Sequence, residues 1–338
     1  MRRCVCLFLL LLVTTARADD KTLNLFAWSE YVPQEVIDGF TRETGIKISY
    51  DTYASNEELI SKLRAGGVKY DLIQPSEYTC EALIRAKRLE PIDLSQIPNF
   101  KNLLPEYKNM AFDPGNRFTI PWMVGSVGIC VNTDRIKDEI HGYKDVFQQK
   151  YSGRIIVVND GREMVSWALA TIGIGPNDMS EANLARAKPI LAQWMKLIRK
   201  YDSDSPKTDL LAGNADIGIV WSGEAALCWK EDHKFAYILP SEGAHMFVDN
   251  LAIPRAAPNK SAAIAFMNYI LRPEVSKLIS DKFPYTNPNG EARKLLSKEQ
   301  LENPASYPKN PPKLDIFHDI GKDASRVEEM VTDLKNGQ

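Results

Sequence analysis

Histidine is scarce in this 338-residue chain, with four copies at positions 141, 233, 245 and 318. None stands in an HExxH or comparable ligand spacing, and the chain has no GxSxG elbow, Walker A loop or strand-following GxGxxG. The usual signatures of hydrolysis, nucleotide binding and zinc chemistry are therefore missing. Each histidine is expected at the solvated surface, and no catalytic residue, cofactor or metal site is expected. Long apolar runs are lacking too. The run at residues 5–13 is shorter than the roughly 20 residues a membrane helix needs. Arg2 and Arg3 precede it and Ala16-Arg17-Ala18 follows, the pattern of a cleavable signal peptide over residues 1–18. Cys4 and Cys6 lie before or within the run, so no cysteine follows the cleavage point to carry a lipid. A periplasmic location is expected. Beyond it, Cys80, Cys130 and Cys228 form no CxxC pair and read as buried small hydrophobes.

Charge of either sign is nearly balanced. The formal net charge is −2, and it falls to −5 once Arg2, Arg3 and Arg17 are set aside. A mildly acidic chain argues against nucleic acid as a partner and suits a cationic ligand. The 320 residues that remain suit two lobes better than one core. Strands over 23–26, 46–53 and 70–74 alternate with helices over 33–44, 56 onward and 77–86, a βαβαβ order that implies a mostly parallel sheet. Ser55 and Glu58 have capping-box spacing at the second helix. The β-like run 118–132 and a later strand over 246–253 read as crossings between lobes. Between them lie strands at 155–158, 217–221 and 235–239 and helices at 164–172, 181–199 and 224–231. Helices over 261–271, 273–282 and 291–296, an extended Pro-rich linker over 303–312 and a last helix over 323–334 complete the pattern.

Aromatic and acidic residues gather at the carboxyl ends of these strands, where open α/β sheets bind ligands. Trp28-Ser29-Glu30-Tyr31 follows the first strand and Pro75-Ser76-Glu77-Tyr78 the third. Asp160-Gly161-Arg162-Glu163 and Trp221-Ser222-Gly223-Glu224 follow strands of the second series, and Asp249 interrupts the second crossing strand. Carboxylates pair with ammonium groups and aromatic faces cover methylenes and attract cations, the mixture a polyamine requires. Each residue also has a structural role open to it. Asp160 and Glu163 have the spacing of an N-cap and its capping-box partner, Glu77 and Glu224 suit first helical turns, Asp249 suits a buried hydrogen-bonding position, and the aromatics suit a core or its rim.

Several segments resemble the bacterial spermidine/putrescine-binding proteins. They are Leu25-Phe26-Ala27-Trp28-Ser29-Glu30-Tyr31-Val32-Pro33, Thr44-Gly45-Ile46-Lys47, Ser55-Asn56-Glu57, Tyr70-Asp71-Leu72, Pro75-Ser76, Asp249-Asn250-Leu251-Ala252-Ile253-Pro254 and Leu271-Arg272-Pro273, in order over nearly the whole exported chain. The resemblance implies an α/β type II periplasmic-binding-protein fold, two α/β lobes joined by a hinge with an inter-lobe ligand cleft. Lobe 1 would comprise residues 19–122 and 249–312, and lobe 2 residues 123–248 and 313–338. It also implies an ABC-importer receptor with two partners, a polyamine and a cognate inner-membrane permease. A monomer is expected. Polyamine sensing for a membrane partner is the alternative. Carried over by position, ligand contacts fall on Trp28, Ser29, Tyr31, Ser76, Tyr78, Asp160, Glu163, Ser203, Trp221, Asp249 and Tyr285, with Glu163 and Asp160 on one ammonium and Asp249 on another. Phe247 stands where spermidine-type members carry tryptophan, Glu224 adds an acid found in putrescine-type members, and Phe317 replaces a polar glutamine. Tyr78 is a spermidine-type feature, so both ligands stay open. Transferase chemistry would need an activated cysteine, and ferric binding a cluster of oxygen ligands, and neither pattern is present.

Overall fold

The computed structural model describes residues 21–337 apart from Glu30, Val68 and Lys313. The signal peptide expected over residues 1–18 lies outside the described residues, as does Glu30. Period-2 and period-3.6 patterning alternate from the start of the described chain. β1 (Thr22–Trp28) leads to helix Gln34–Thr44, β2 (Lys47–Tyr53) to helix Asn56–Ala65, and β3 (Leu72–Ile73) to helix Glu77–Arg85. Gly45 ends the first helix at φ +71°, a left-handed conformation that favours glycine. Ser55 Oγ caps the second by accepting from the Glu58 amide at 3.1 Å, while the Glu58 carboxylate reaches the Ala54 amide instead of closing a reciprocal box on Ser55. β1 lies parallel between β2 and β3, so all three strands deliver their carboxyl ends to one edge.

β4 (Thr119–Asn132), buried along its whole length, runs across the molecule. After it come β5 (Ile155–Val157), β6 (Ile198–Tyr201), β7 (Ile217–Trp221), β8 (Phe235–Ile238), β9 (Ala244–Ala252) and the two-residue β10 (Leu314–Asp315). The first part of β4 pairs antiparallel with β9 from Thr119–Ala252 to Ser126–Met246, and the rest, from Val127 to Asn132, pairs with β7 and β8. β9 in turn meets β3 at Ile73–Ala252. The strand order β2-β1-β3-β9-β4-β7-β5-β6 thus passes from the first α/β unit to the second through two long antiparallel strands. In the second unit β5 lies parallel between β6 and β7.

Apolar side chains collect on both sides of this crossing. One cluster packs Leu23, Leu25 and Phe40 against Phe266, Ile270 and Ile279. Another joins Ile155, Val157, Trp167 and Leu191 to Val327 and Val331 of the last helix, Asp323–Asn336. Ala305, inside the stretch expected as a linker, packs with Cys130 and Cys228. All three cysteines are buried, so they fill core space. Among the described residues no helix is long and apolar enough to cross a membrane.

Two local expectations are corrected. The helix read over 181–199 stops at Trp194, and after a 3-10 turn the chain enters β6, whose exposed Arg199 and Lys200 masked its strand character. The helix read from Met164 starts at Gly161, because the Asp160 carboxylate caps it by accepting from the Glu163 amide at 2.9 Å.

Candidate functional site

The carboxyl ends of β1 and β3, the middle of β9 and the first turns of helices Gly161–Ala170 and Ser222–Glu231 surround one cavity of about 70 Å³. Trp28, Ser29 and Tyr31 reach it from the end of β1, Ser76 and Tyr78 from the start of helix Glu77–Arg85, and Phe247 and Asp249 from β9. Asp160 and Glu163 come from one helix start, Trp221 and Glu224 from the other, Ser203 from the loop after β6, and Tyr285 from the chain after helix Pro273–Lys282. The thirteen ligand-contact candidates therefore line the same space, while Glu77 lies buried behind it.

Its walls are aromatic. Tyr31 and Tyr285 lie 5.2 Å apart between ring centroids, Phe247 meets Tyr285 at 5.9 Å, and Trp221 stands edge-on to Phe247 at 5.6 Å. Two glycines make these placements possible. A Cβ on Gly125 would collide with the Phe247 ring, and one on Gly223 with the Tyr285 ring. The Trp221 indole donates to the Ser203 carbonyl at 3.0 Å, and the Ser203 hydroxyl accepts from the Asn159 amide at 2.8 Å, which holds that loop over the cavity.

Asp249 is 2% exposed and accepts from the Tyr31 hydroxyl at 2.9 Å and the Ser76 hydroxyl at 2.7 Å. Asn56, which sequence reasoning passed over, extends this network by donating to Ser76 Oγ and Tyr78 Oη. Burial pushes the Asp249 carboxyl up to about 7, against the pull of its two hydroxyl donors. Asp160 is half-buried, and loss of hydration, with Glu163 and Glu57 nearby, pushes its carboxyl up to about 7 as well. Among the described residues neither acid forms an ion pair. Glu224 differs, since Lys207 Nζ lies 3.0 Å from its carboxylate.

The expectation that every histidine is a solvated surface residue fails at His245. It is 6% exposed, lines the cavity, and places Nδ1 2.5 Å from Glu163 Oε1 and Nε2 3.0 Å from Glu77 Oε1. Glu77 is not a first-turn surface charge either. It is fully buried, and its carboxylate also accepts from the Val248 and Phe317 amides. The other Glu163 oxygen accepts from the Trp167 indole at 3.2 Å, so no reciprocal capping box forms with Asp160. Phe317 stacks on the His245 ring at 3.5 Å and 3°. No signal in the sequence marked His245. It sits two residues after a turn glycine, and both its partners are remote in the chain.

At the rim, Ser29 donates to Asp204 at 2.6 Å, tying the end of β1 to the loop after β6. The segment carrying β10 closes another side. Glu81 accepts from the Asp319 amide, Arg162 donates to the His318 carbonyl, and Arg85 pairs with Asp319. Among the described residues no group of three or more His, Cys, Asp or Glu side chains converges to hold a metal ion.

Two α/β units joined by crossing strands around a lined cavity define a cleft-type solute receptor. The chain belongs to the bacterial extracellular solute-binding protein family, whose model matches residues 35–311. It is 34% identical over 325 residues to the spermidine/putrescine-binding periplasmic protein of Salmonella typhimurium, covering 95% of this chain and 93% of that one. With the protein of the same name from Escherichia coli it shares 34% identity over 334 residues, covering 96% and 95%. A Listeria monocytogenes structure described as a spermidine/putrescine ABC transporter superimposes with a TM-score of 0.90 at 30% identity, covering 94% of this chain and all of that one. The fold is the type II periplasmic-binding-protein fold that the sequence segments implied.

Proposed function

We propose that this protein is the extracytoplasmic receptor of a polyamine ABC importer, which captures spermidine and/or putrescine in the cavity and delivers it to an inner-membrane permease. One observation carries the reading: Asp249 and Asp160 line one aromatic-walled cavity, and among the described residues no cationic side chain forms an ion pair with either. A desolvated carboxylate is costly unless it protonates or meets a cation, and a bound ammonium removes that cost. Trp28, Tyr31, Trp221, Phe247 and Tyr285 supply faces for the methylenes and the adjoining charge, worth about 0.5–2 kcal/mol per contact. Ser29, Ser76, Tyr78 and Ser203 add hydroxyls, and Glu163 and Glu224 complete the acidic lining. The names of the Salmonella and Escherichia coli relatives speak for the same ligand class.

In this reading the open cleft admits the cation, the carboxylates fix its charges, and closure brings Ser29 onto Asp204 and presents both lobes to the permease. Lobe 1 takes residues 19–122 and 249–312, and lobe 2 the remainder after the signal peptide. The protein works in the periplasm as a monomer after losing residues 1–18. It catalyses no reaction, needs no cofactor and binds no nucleic acid. Thermal unfolding of the ligand-stripped protein with putrescine, cadaverine, spermidine, spermine, arginine and thiamine tests the reading. A ligand at about 100 times its dissociation constant adds roughly 2.7 kcal/mol of stability. Stabilisation confined to polyamines is the expected result, and no response to any of them overturns the function.

A further inference from the structure

One end of the cavity holds a cation belonging to the protein. Each ring nitrogen of His245 faces a carboxylate oxygen, Nδ1 toward Glu163 at 2.5 Å and Nε2 toward Glu77 at 3.0 Å. A neutral imidazole has one N–H and one lone pair, so it would turn a lone pair against an ionised carboxylate at one of these contacts. Only the doubly protonated ring donates to both. Its surroundings agree. Phe317 offers a π-face at 3.5 Å, and the other oxygens of the two acids are occupied, Glu77 Oε2 by the Val248 amide and Glu163 Oε2 by the Trp167 indole, while the Phe317 amide shares Glu77 Oε1 with the ring. Burial favours the neutral ring and lowers its pKa, but Glu163 and Glu77 outweigh this and the net result is a pKa raised to about 9. Arg162, over the Phe317 ring at 4.2 Å, is the other cation beside this group.

The charge left for a ligand then follows. Glu163 is satisfied by His245 and Glu224 by Lys207. Asp204, on the rim, is exposed and bonded to Ser29. Asp160 and Asp249 remain. We infer that His245 is a resident counter-cation that occupies the ammonium position beside Glu163 and restricts the cavity to linear diamines over triamines. The inference rests on the polyamine reading and sharpens it.

Calorimetric titration at pH 7.5 of the purified, ligand-stripped protein with putrescine and spermidine tests this, on wild type and His245→Gln. Wild type is expected to favour putrescine by about tenfold or more. The variant frees Glu163 for a further ammonium, so the ratio of the two affinities is expected to move toward spermidine by about tenfold. An unchanged ratio, or a wild type that favours spermidine, overturns the inference. Should the variant not fold, nitrogen NMR of the wild-type ring decides. Both ring nitrogens of His245 protonated at pH 7.5, empty and with putrescine, support it, and a neutral ring in either state sinks it. If wild type binds neither amine, the polyamine reading fails, while the ring's charge is still read independently.

Discussion

The two ends of the cavity solve the same problem in opposite ways. At one end Asp249 is buried among neutral donors, the Tyr31 and Ser76 hydroxyls, and desolvation carries its carboxyl up to about 7 although both hydroxyls and the charge of His245 pull it down. At the other end Glu163 is at least as buried, yet it meets His245 at 2.5 Å and has its second oxygen on Trp167. The comparison teaches that acidic lining alone does not identify a cation subsite. A buried acid held only by neutral hydroxyls differs from one already paired with a side chain of the protein.

The largest break in this comparison is expected from Asp249→Asn. Removing the charge leaves a desolvated ligand ammonium without its partner, a loss of about 2–5 kcal/mol in binding, and calorimetry with putrescine reads it directly. Wild-type affinity in this variant would reject the assignment. Next comes pH. With Ser29 drawn onto Asp204, Asp249 and Asp160 hold protons below about 7 and must release them to pair with an ammonium. The dissociation constant should therefore rise about tenfold per pH unit below 7 for each proton released. Folding stability of this arrangement runs the other way. Both acids have folded values above their ordinary 3.8, so the native state holds protons the unfolded chain has lost, and stability falls as pH rises from about 4 to 7. His245 adds stability that is full below 6.5 and lost as pH rises through about 9. Melting curves should accordingly show the gap between empty and putrescine-loaded protein widening from pH 5 to pH 8, and a constant gap would mean that neither acid meets the ligand.

A smaller effect is expected from Gly223→Ala, whose new Cβ must push the Tyr285 ring aside. Overpacking of this kind costs typically 1–3 kcal/mol, shared between stability and ligand affinity. Unaltered melting temperature and unaltered binding together would mean that Tyr285 has room to move.

Local signals carried much of the fold. Gly45 and Ser55 marked helix ends that the structure keeps, and the interrupted apolar run around Asp249 marked a crossing strand. The site candidates followed from strand ends and family resemblance, and they converge because a parallel sheet sends its carboxyl ends to one edge. β6 was illegible because Arg199 and Lys200 face solvent on an edge, where the pattern carries no period-2 signal. His245 was illegible for a different reason: Glu77 lies 168 positions away and Glu163 82, and no local pattern encodes contacts at that distance.

The smallest effect is expected at Asp160, and it sharpens the comparison most. Its carboxylate serves the Glu163 amide as a helix cap, and asparagine caps a helix about as well as aspartate. Asp160→Asn should therefore leave stability nearly untouched and change only the charge. Because Asp160 is half-buried, water screens part of its attraction for an ammonium, and the loss in putrescine affinity should be about 1 kcal/mol, well short of that at Asp249. A loss equal to that of Asp249→Asn would mean that closure buries Asp160 completely around the ligand, so that the two ends differ in how they are shut and not in how they are charged.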